Sequence, residues 1–83
     1  VTYDERIQRA KRAEQLLTDE VFIEAIADAE ERIIADWKAS QDSAGREMCW
    51  MKLQALEAVQ GQLRATVDDG SVLLARVAKE ERK

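Results

Sequence analysis

Glu20, Glu24, Asp28 and Glu31 fall four, four and three residues apart, so a helix would carry all four carboxylates on one face. Oxygen ligands gathered this way are the beginning of a site for a hard cation. The rest of such a site is missing. A di-iron bundle draws Glu-x-x-His pairs from facing helices, and this chain has no histidine. A calcium loop needs spaced oxygens around a glycine turn and a distal bidentate glutamate, for which Asp68-Asp69-Gly70 is too short. The acidic row is expected to be a solvated face, with no metal and no cofactor.

Acid and base catalysis by paired carboxylates needs one of them lifted in pKa by burial. Asp36 and Glu47, flanking a turn, are the one pair to consider, and both stand where exposed polar residues normally stand. Cys49 has no histidine to activate it and cannot form an internal disulfide, being the single cysteine. It is expected to serve as a small core hydrophobe. No catalytic residue is assigned.

Arg6, Arg9, Lys11 and Arg12, with Arg76, Lys79, Arg82 and Lys83, form the basic cluster of the chain and could touch nucleic acid. The cluster lacks interleaved aromatics and a turn-plus-recognition-helix pattern, and an acidic helix matches it in the same small protein. Pairing with the acidic row, within a subunit or across a dimer, or simple solvation, is the stronger expectation.

The elements that carry these residues follow from apolar spacing. Thr2 and Glu5 stand in capping-box spacing, which starts a first helix over about 2–18 with Tyr3, Ile7, Ala10, Ala13, Leu16 and Leu17 along one side. Thr18 or Asp19 can cap a second helix over 19–39; one continuous helix with a bend is the alternative. Phe22, Ile26, Ala29, Ile33 and Trp37 form its stripe, widened by Ile23, Ala27 and Ile34. Ser40 to Ser43 make a tight connection, and Asp42 or Ser43 caps a third helix over 43–68 with a stripe of Cys49, Leu53, Leu56, Val59 or Gln60, Leu63 and Val67. Gly70 in a left-handed C′ position would end it, and a short fourth helix would follow over 71–80 before a frayed charged tail, Lys79 to Lys83.

The fold class is therefore all-α: a long antiparallel helical hairpin with short N- and C-terminal helices beside it. Its seam is expected to bury Phe22, Ile26, Ile33, Trp37, Trp50, Leu53, Leu56 and Leu63, with Trp37 opposite about Arg46 and Trp50 opposite about Ile33. Met48, Met51, Ala58, Gly61 and Ala65 are expected to form an outward groove where another helix or subunit approaches.

Composition agrees with long helices and sets limits. There is no proline, 36% of the 83 residues are charged, and the formal net charge is −4. That charge is unevenly spread, about +1 over residues 1–18, about −5 over 19–39, about −2 over 40–70 and about +2 over 71–83. A strongly acidic central helix weighs against a general nucleic-acid surface. No window approaches 18 uninterrupted apolar residues, so no membrane contact is expected. A single domain of this length covers its apolar faces poorly, which makes self-association the expectation.

The run Arg9-Ala10-Lys11-Arg12-Ala13-Glu14-Gln15-Leu16-Leu17, then Asp19-Glu20-Val21-Phe22, Trp37, Asp42-Ser43-Ala44-Gly45-Arg46-Glu47, Trp50 and Asp69-Gly70 resembles short helical proteins of tailed bacteriophages and prophages. Those proteins tend to be encoded among head-assembly and packaging genes. The resemblance spans nearly the whole chain and transfers no catalytic residue. It implies a phage structural or virion-assembly protein, in the host cytoplasm or associated with the virion, whose partner is itself as a homo-oligomer or another phage protein. A packaging or regulatory accessory using the basic first helix, and a small inhibitor using the acidic row, are the alternatives.

Overall fold

The computed structural model describes residues 2–81. Among these residues there are three helices and no strand: α1 (Tyr3–Thr18), α2 (Glu20–Ala39) and α3 (Ser43–Glu81). None of the three is long and apolar enough to cross a membrane.

The breaks between helices are made by local capping. Thr2 is extended, and its hydroxyl accepts from the Glu5 N–H at 3.2 Å to start α1. Asp19 then serves two helices. Its N–H donates to the Leu16 carbonyl at 3.2 Å, closing α1, and its carboxylate accepts from the Phe22 N–H at 2.9 Å, opening α2. Its extended backbone, φ −72° and ψ 127°, separates α1 from α2, so no single bent helix runs through. Thr18 takes no part in the new cap, because its hydroxyl donates back to the Glu14 carbonyl at 2.9 Å. At the second break Ser40 is extended, and the Asp42 carboxylate accepts from the Gly45 N–H at 2.7 Å to start α3.

The sequence expectation fails at Asp68-Asp69-Gly70. The third helix does not stop there, and residues 71–80 are its continuation rather than a fourth helix. No glycine among the described residues has a positive φ. Gly70 is buried within α3 against Ala10 of α1, and a Cβ there would overlap the Ala10 methyl. The glycine does not terminate the helix; its role is close helix approach. Leu73, one turn on, is 1% exposed. Burying a leucine contributes about 1.5–3 kcal/mol, more than the cost of about 1 kcal/mol for a helical glycine, so packing carries the helix across.

With 39 residues α3 is about 58 Å long at 1.5 Å per residue. It sets the long dimension of a molecule measuring 64 × 24 × 18 Å. Both shorter helices lie along it with opposite chain direction. For α2, Ile34 and Trp37 stand beside Trp50 and Leu53 near the turn, while Phe22 and Ile26 stand beside Gln60 and Arg64 further along. For α1, Leu17 shares that second position with Gln60 and Arg64, and Ala10 rests on Gly70.

Burial is concentrated where α1 crosses α3. Ala10, Ala13, Gly70 and Leu73 are buried there, and Cys49 is buried nearer the turn. No residue of α2 is buried. Phe22, Ile26, Ile33, Leu53, Leu56 and Leu63 are only half-buried. The two tryptophans expected in the seam lie largely outside it, Trp37 being 46% and Trp50 59% exposed. Two helices meeting along a single line cannot enclose side chains as large as indole; a third layer would be needed, and α1 lies too far along α3 to supply it.

Candidate helix-docking surface

On one side of the α2/α3 pair, near the turn, lies a groove with apolar walls. It is a depression of about 370 Å3 lined by Ile34, Trp37, Trp50 and Leu53. Further along, on the same side, is a second depression of about 210 Å3 between Leu17, Phe22, Ile23, Ile26, Gln60 and Arg64. The Arg46 guanidinium stands over the Trp37 ring, 5.5 Å from its centroid, so one indole has a cation on its face at the groove rim. Ile23 and Ile34 are also exposed. Aromatic and β-branched side chains gathered in a solvent-open depression favour the apolar face of another helix over a small polar ligand.

The register of α2 on α3 puts two acids at the same level, between these depressions. Trp37 pairs with Trp50, Ile34 with Leu53 and Ile26 with Gln60, which puts Glu30 level with Glu57. Glu30 is half-buried, on the flank of α2 that Ile23, Ala27 and Ile34 make apolar. Among the described residues the ion pair present is Arg6 with Asp69, so neither Glu30 nor Glu57 has a cation against it. Arg64, at the second depression, is likewise without a carboxylate.

Arg6 and Asp69 make the polar clasp between α1 and α3. Nε donates to Oδ2 at 3.0 Å and Nη2 donates to Oδ1 at 2.5 Å, a bidentate arrangement. The hydrogen bond from Arg6, aided by the charges of Arg6 and Arg76, holds the Asp69 carboxyl below its ordinary pKa against the opposing effect of desolvation. The same bond raises Arg6. Pairing of the basic cluster with the acidic row of α2 is not what Arg6 does: its carboxylate comes from α3, beside the glycine that admits α1.

The other residues singled out from the sequence are placed as follows. Glu20, Glu24, Asp28 and Glu31 are exposed, the last two beside Arg32 and Ala35. No three carboxylate or thiol groups converge on a point that could hold a metal among the described residues. Arg9 and Arg12 share a cleft with Asp4, Glu5 and Gln8, so acids are interleaved with the bases. Lys11 is exposed, and Arg82 and Lys83 lie outside the described residues. Met48, Met51, Ala58, Gly61 and Ala65 are all exposed. Met48 and Met51 continue, through Ala55 and Val59, the line of Gln62, Thr66 and Gly70 on which α1 sits. Gly61 faces open space, with no atom within 4 Å of a Cβ placed there, and Ala65 lines a cleft with Arg6 and Arg9.

Sequence reasoning missed Glu30, Arg64 and the exposed tryptophan groove. The signal for Glu30 was available, since it interrupts an otherwise apolar flank of α2. No protein-family model, curated protein or solved structure matches the chain. What fold and surface define is a class: an all-helical protein with an elongated body and an uncovered apolar groove.

Proposed function

We propose that the chain is a non-enzymatic interaction protein, of the phage or prophage assembly kind that its sequence resembles. It works by lending the surfaces of the helical hairpin made by α2 and the first part of α3 to copies of itself or to another protein of the particle. One observation carries this reading. A folded monomer of 9.4 kDa exposes about 5,000 Å2, whereas this chain exposes 6766 Å2. The excess is larger than the roughly 800 Å2 that each partner buries in a standard interface. Much of it is apolar, with Ile23, Ile34, Trp37, Trp50, Met48 and Met51 each about half exposed.

The test is the concentration dependence of unfolding. A chain completed by a partner copy should melt at a temperature that rises with protein concentration. A chain completed by a different protein should instead melt broadly when alone and gain a sharp transition in the presence of its neighbours from the particle. A sharp melt at one temperature across a hundredfold range of concentration, by the chain alone, would overturn the reading.

Association with nucleic acid through Arg6, Arg9, Lys11 and Arg12 is the weaker alternative, since Arg6 is held by Asp69 and the cleft of Arg9 and Arg12 contains Asp4 and Glu5. Retention on DNA that falls steeply with salt would revive it. Inhibition through Glu20, Glu24, Asp28 and Glu31 would show as loss of a partner when these are changed to lysine.

A further inference from the structure

We propose that the occupant of the tryptophan groove is a second copy of this chain, packed antiparallel about a two-fold axis near Gly61, with Arg64 of each copy seated between Glu30 and Glu57 of the other. The inference rests on the reading above and names its partner and its contact. Three observations lead to it, from shape, charge and area.

The shape is a pair of depressions on one side of the α2/α3 pair, one at each end. Their walls are apolar near the turn, at Ile34, Trp37, Trp50 and Leu53, and apolar with a cationic rim at the other end, at Phe22, Ile23, Ile26 and Arg64. Gly61 sits one turn before Arg64 and one turn after Glu57, and the space beside it is empty to 4 Å. A helix backbone can approach α3 there more closely than anywhere else between the depressions.

The charges select the occupant and its direction. Glu30 and Glu57 lie level with one another between the two depressions, and among the described residues neither has a cation in ion-pair contact, while Arg64 lies two turns from Glu57 with no anion in contact. In an antiparallel two-fold arrangement, residues equidistant on either side of the axis face each other. With the axis near Gly61, Glu57 is opposite the partner's Arg64, and symmetry makes the contact twice. Glu30, level with Glu57, reaches the same guanidinium from the other wall. A parallel arrangement would set Glu57 against the partner's Glu57 and Arg64 against the partner's Arg64.

The area is of the right size. A pair of helical hairpins packed face to face makes a four-helix bundle, and the surface that this chain exposes beyond an ordinary monomer exceeds one partner's share of a standard interface. Ile23 and Ile26 flank the axis of that pair, while the tryptophans, Ile34 and Leu53 lie about ten residues from it, against the partner's α3 near the partner's Ser71. Their half-exposure in the single chain is the part of the fold that the second copy completes.

Two single variants of the full chain test the arrangement, Arg64→Glu and Glu57→Arg, with the mass of each followed by light scattering over a range of concentrations. Each alone brings like charges together twice and should weaken the dimer by about tenfold or more. Mixed in equal amounts they should recover association, because glutamate at 64 in one meets arginine at 57 in the other. Circular dichroism of each variant checks that its helices remain. Tryptophan emission should shift to the blue as the mixture associates. Dimers whose affinity ignores both changes, or a mixture no tighter than its components, would overturn the placement while leaving the interaction reading in force. A wild-type chain that is monomeric at every concentration, and melts sharply at a single temperature, would overturn both.

Discussion

Ala10 and Gly70 meet with no room for a methyl group between them: the Ala10 side chain occupies the space that a Cβ on residue 70 would need. This contact fixes how close α1 comes to α3 and aligns the buried Ala13 and Leu73 beside it. Gly61 lies in the same helix with open space around it. The two glycines should therefore answer the same substitution with opposite signs. In the separated chain, at concentrations below association, Gly61→Ala should stabilise by about 0.5–1 kcal/mol, the gain expected from helix propensity and a less flexible unfolded chain. Gly70→Ala should destabilise by about 1–2 kcal/mol, because overpacking of about 1–3 kcal/mol outweighs that gain. Urea unfolding at a fixed protein concentration measures both, and a stabilised Gly70→Ala would show that α1 can draw back freely.

Among the described residues Leu73 is the one large side chain that the fold encloses fully, at 1% exposure. Leu73→Ala should cost about 2–5 kcal/mol, as truncations in a packed core do. Leu74 is about half exposed on the neighbouring face of α3. The same change there should cost well under 1 kcal/mol beyond propensity in the single chain. Equal losses at the two positions would mean that Leu74 is also covered, by a partner.

How far these features could be foreseen depends on the distance over which their causes act. Caps at Thr2, Asp19 and Asp42 are contacts between a side chain and a backbone N–H three residues away, so they are legible locally. The role of Gly70 is not legible locally, because its signature, an aspartate pair followed by glycine, is also that of a helix end. Only the arrival of Ala10 from sixty residues earlier distinguishes the two. The exposure of the tryptophans is not legible for a related reason: apolar spacing shows that Trp37 and Trp50 belong to a face that wants cover, but not whether the same chain supplies it. Cys49, on the stripe that α2 does reach, is buried.

The Arg6–Asp69 clasp should make stability sensitive to acid in a definite direction. Asp69 is held below its unfolded value of about 3.9, so its contribution is complete above that value and is lost as the pH falls through the lowered folded pKa. Arg6 is raised, so its contribution is present below its unfolded value and is lost only at extreme alkalinity. The window is therefore acidic. Asp69→Asn should lower the urea midpoint at pH 7, and the gap from the wild type should narrow as pH is taken below about 4. The side chains are 37% and 41% exposed, so added salt should narrow the gap as well. A gap that is constant from pH 7 to pH 3 would show that the clasp acts through shape rather than charge.

Asp19 gives the most direct test of how the two shorter helices are held apart. Its N–H closes α1 on Leu16, its carboxylate opens α2 on Phe22, and its carbonyl accepts from the Ile23 N–H at 2.9 Å. Asparagine can make the same N-cap contact, whereas alanine removes it and favours continuous helix. Asp19→Asn should retain stability to within a few tenths of a kcal/mol, and Asp19→Ala should lose about 1 kcal/mol. The alanine variant should also gain helical circular dichroism on heating to just below its midpoint, as α1 leaves Gly70 and extends the axis of α2. If alanine instead matched the wild type, the break at residue 19 would be imposed by the seat of α1 on α3, with the cap only following it.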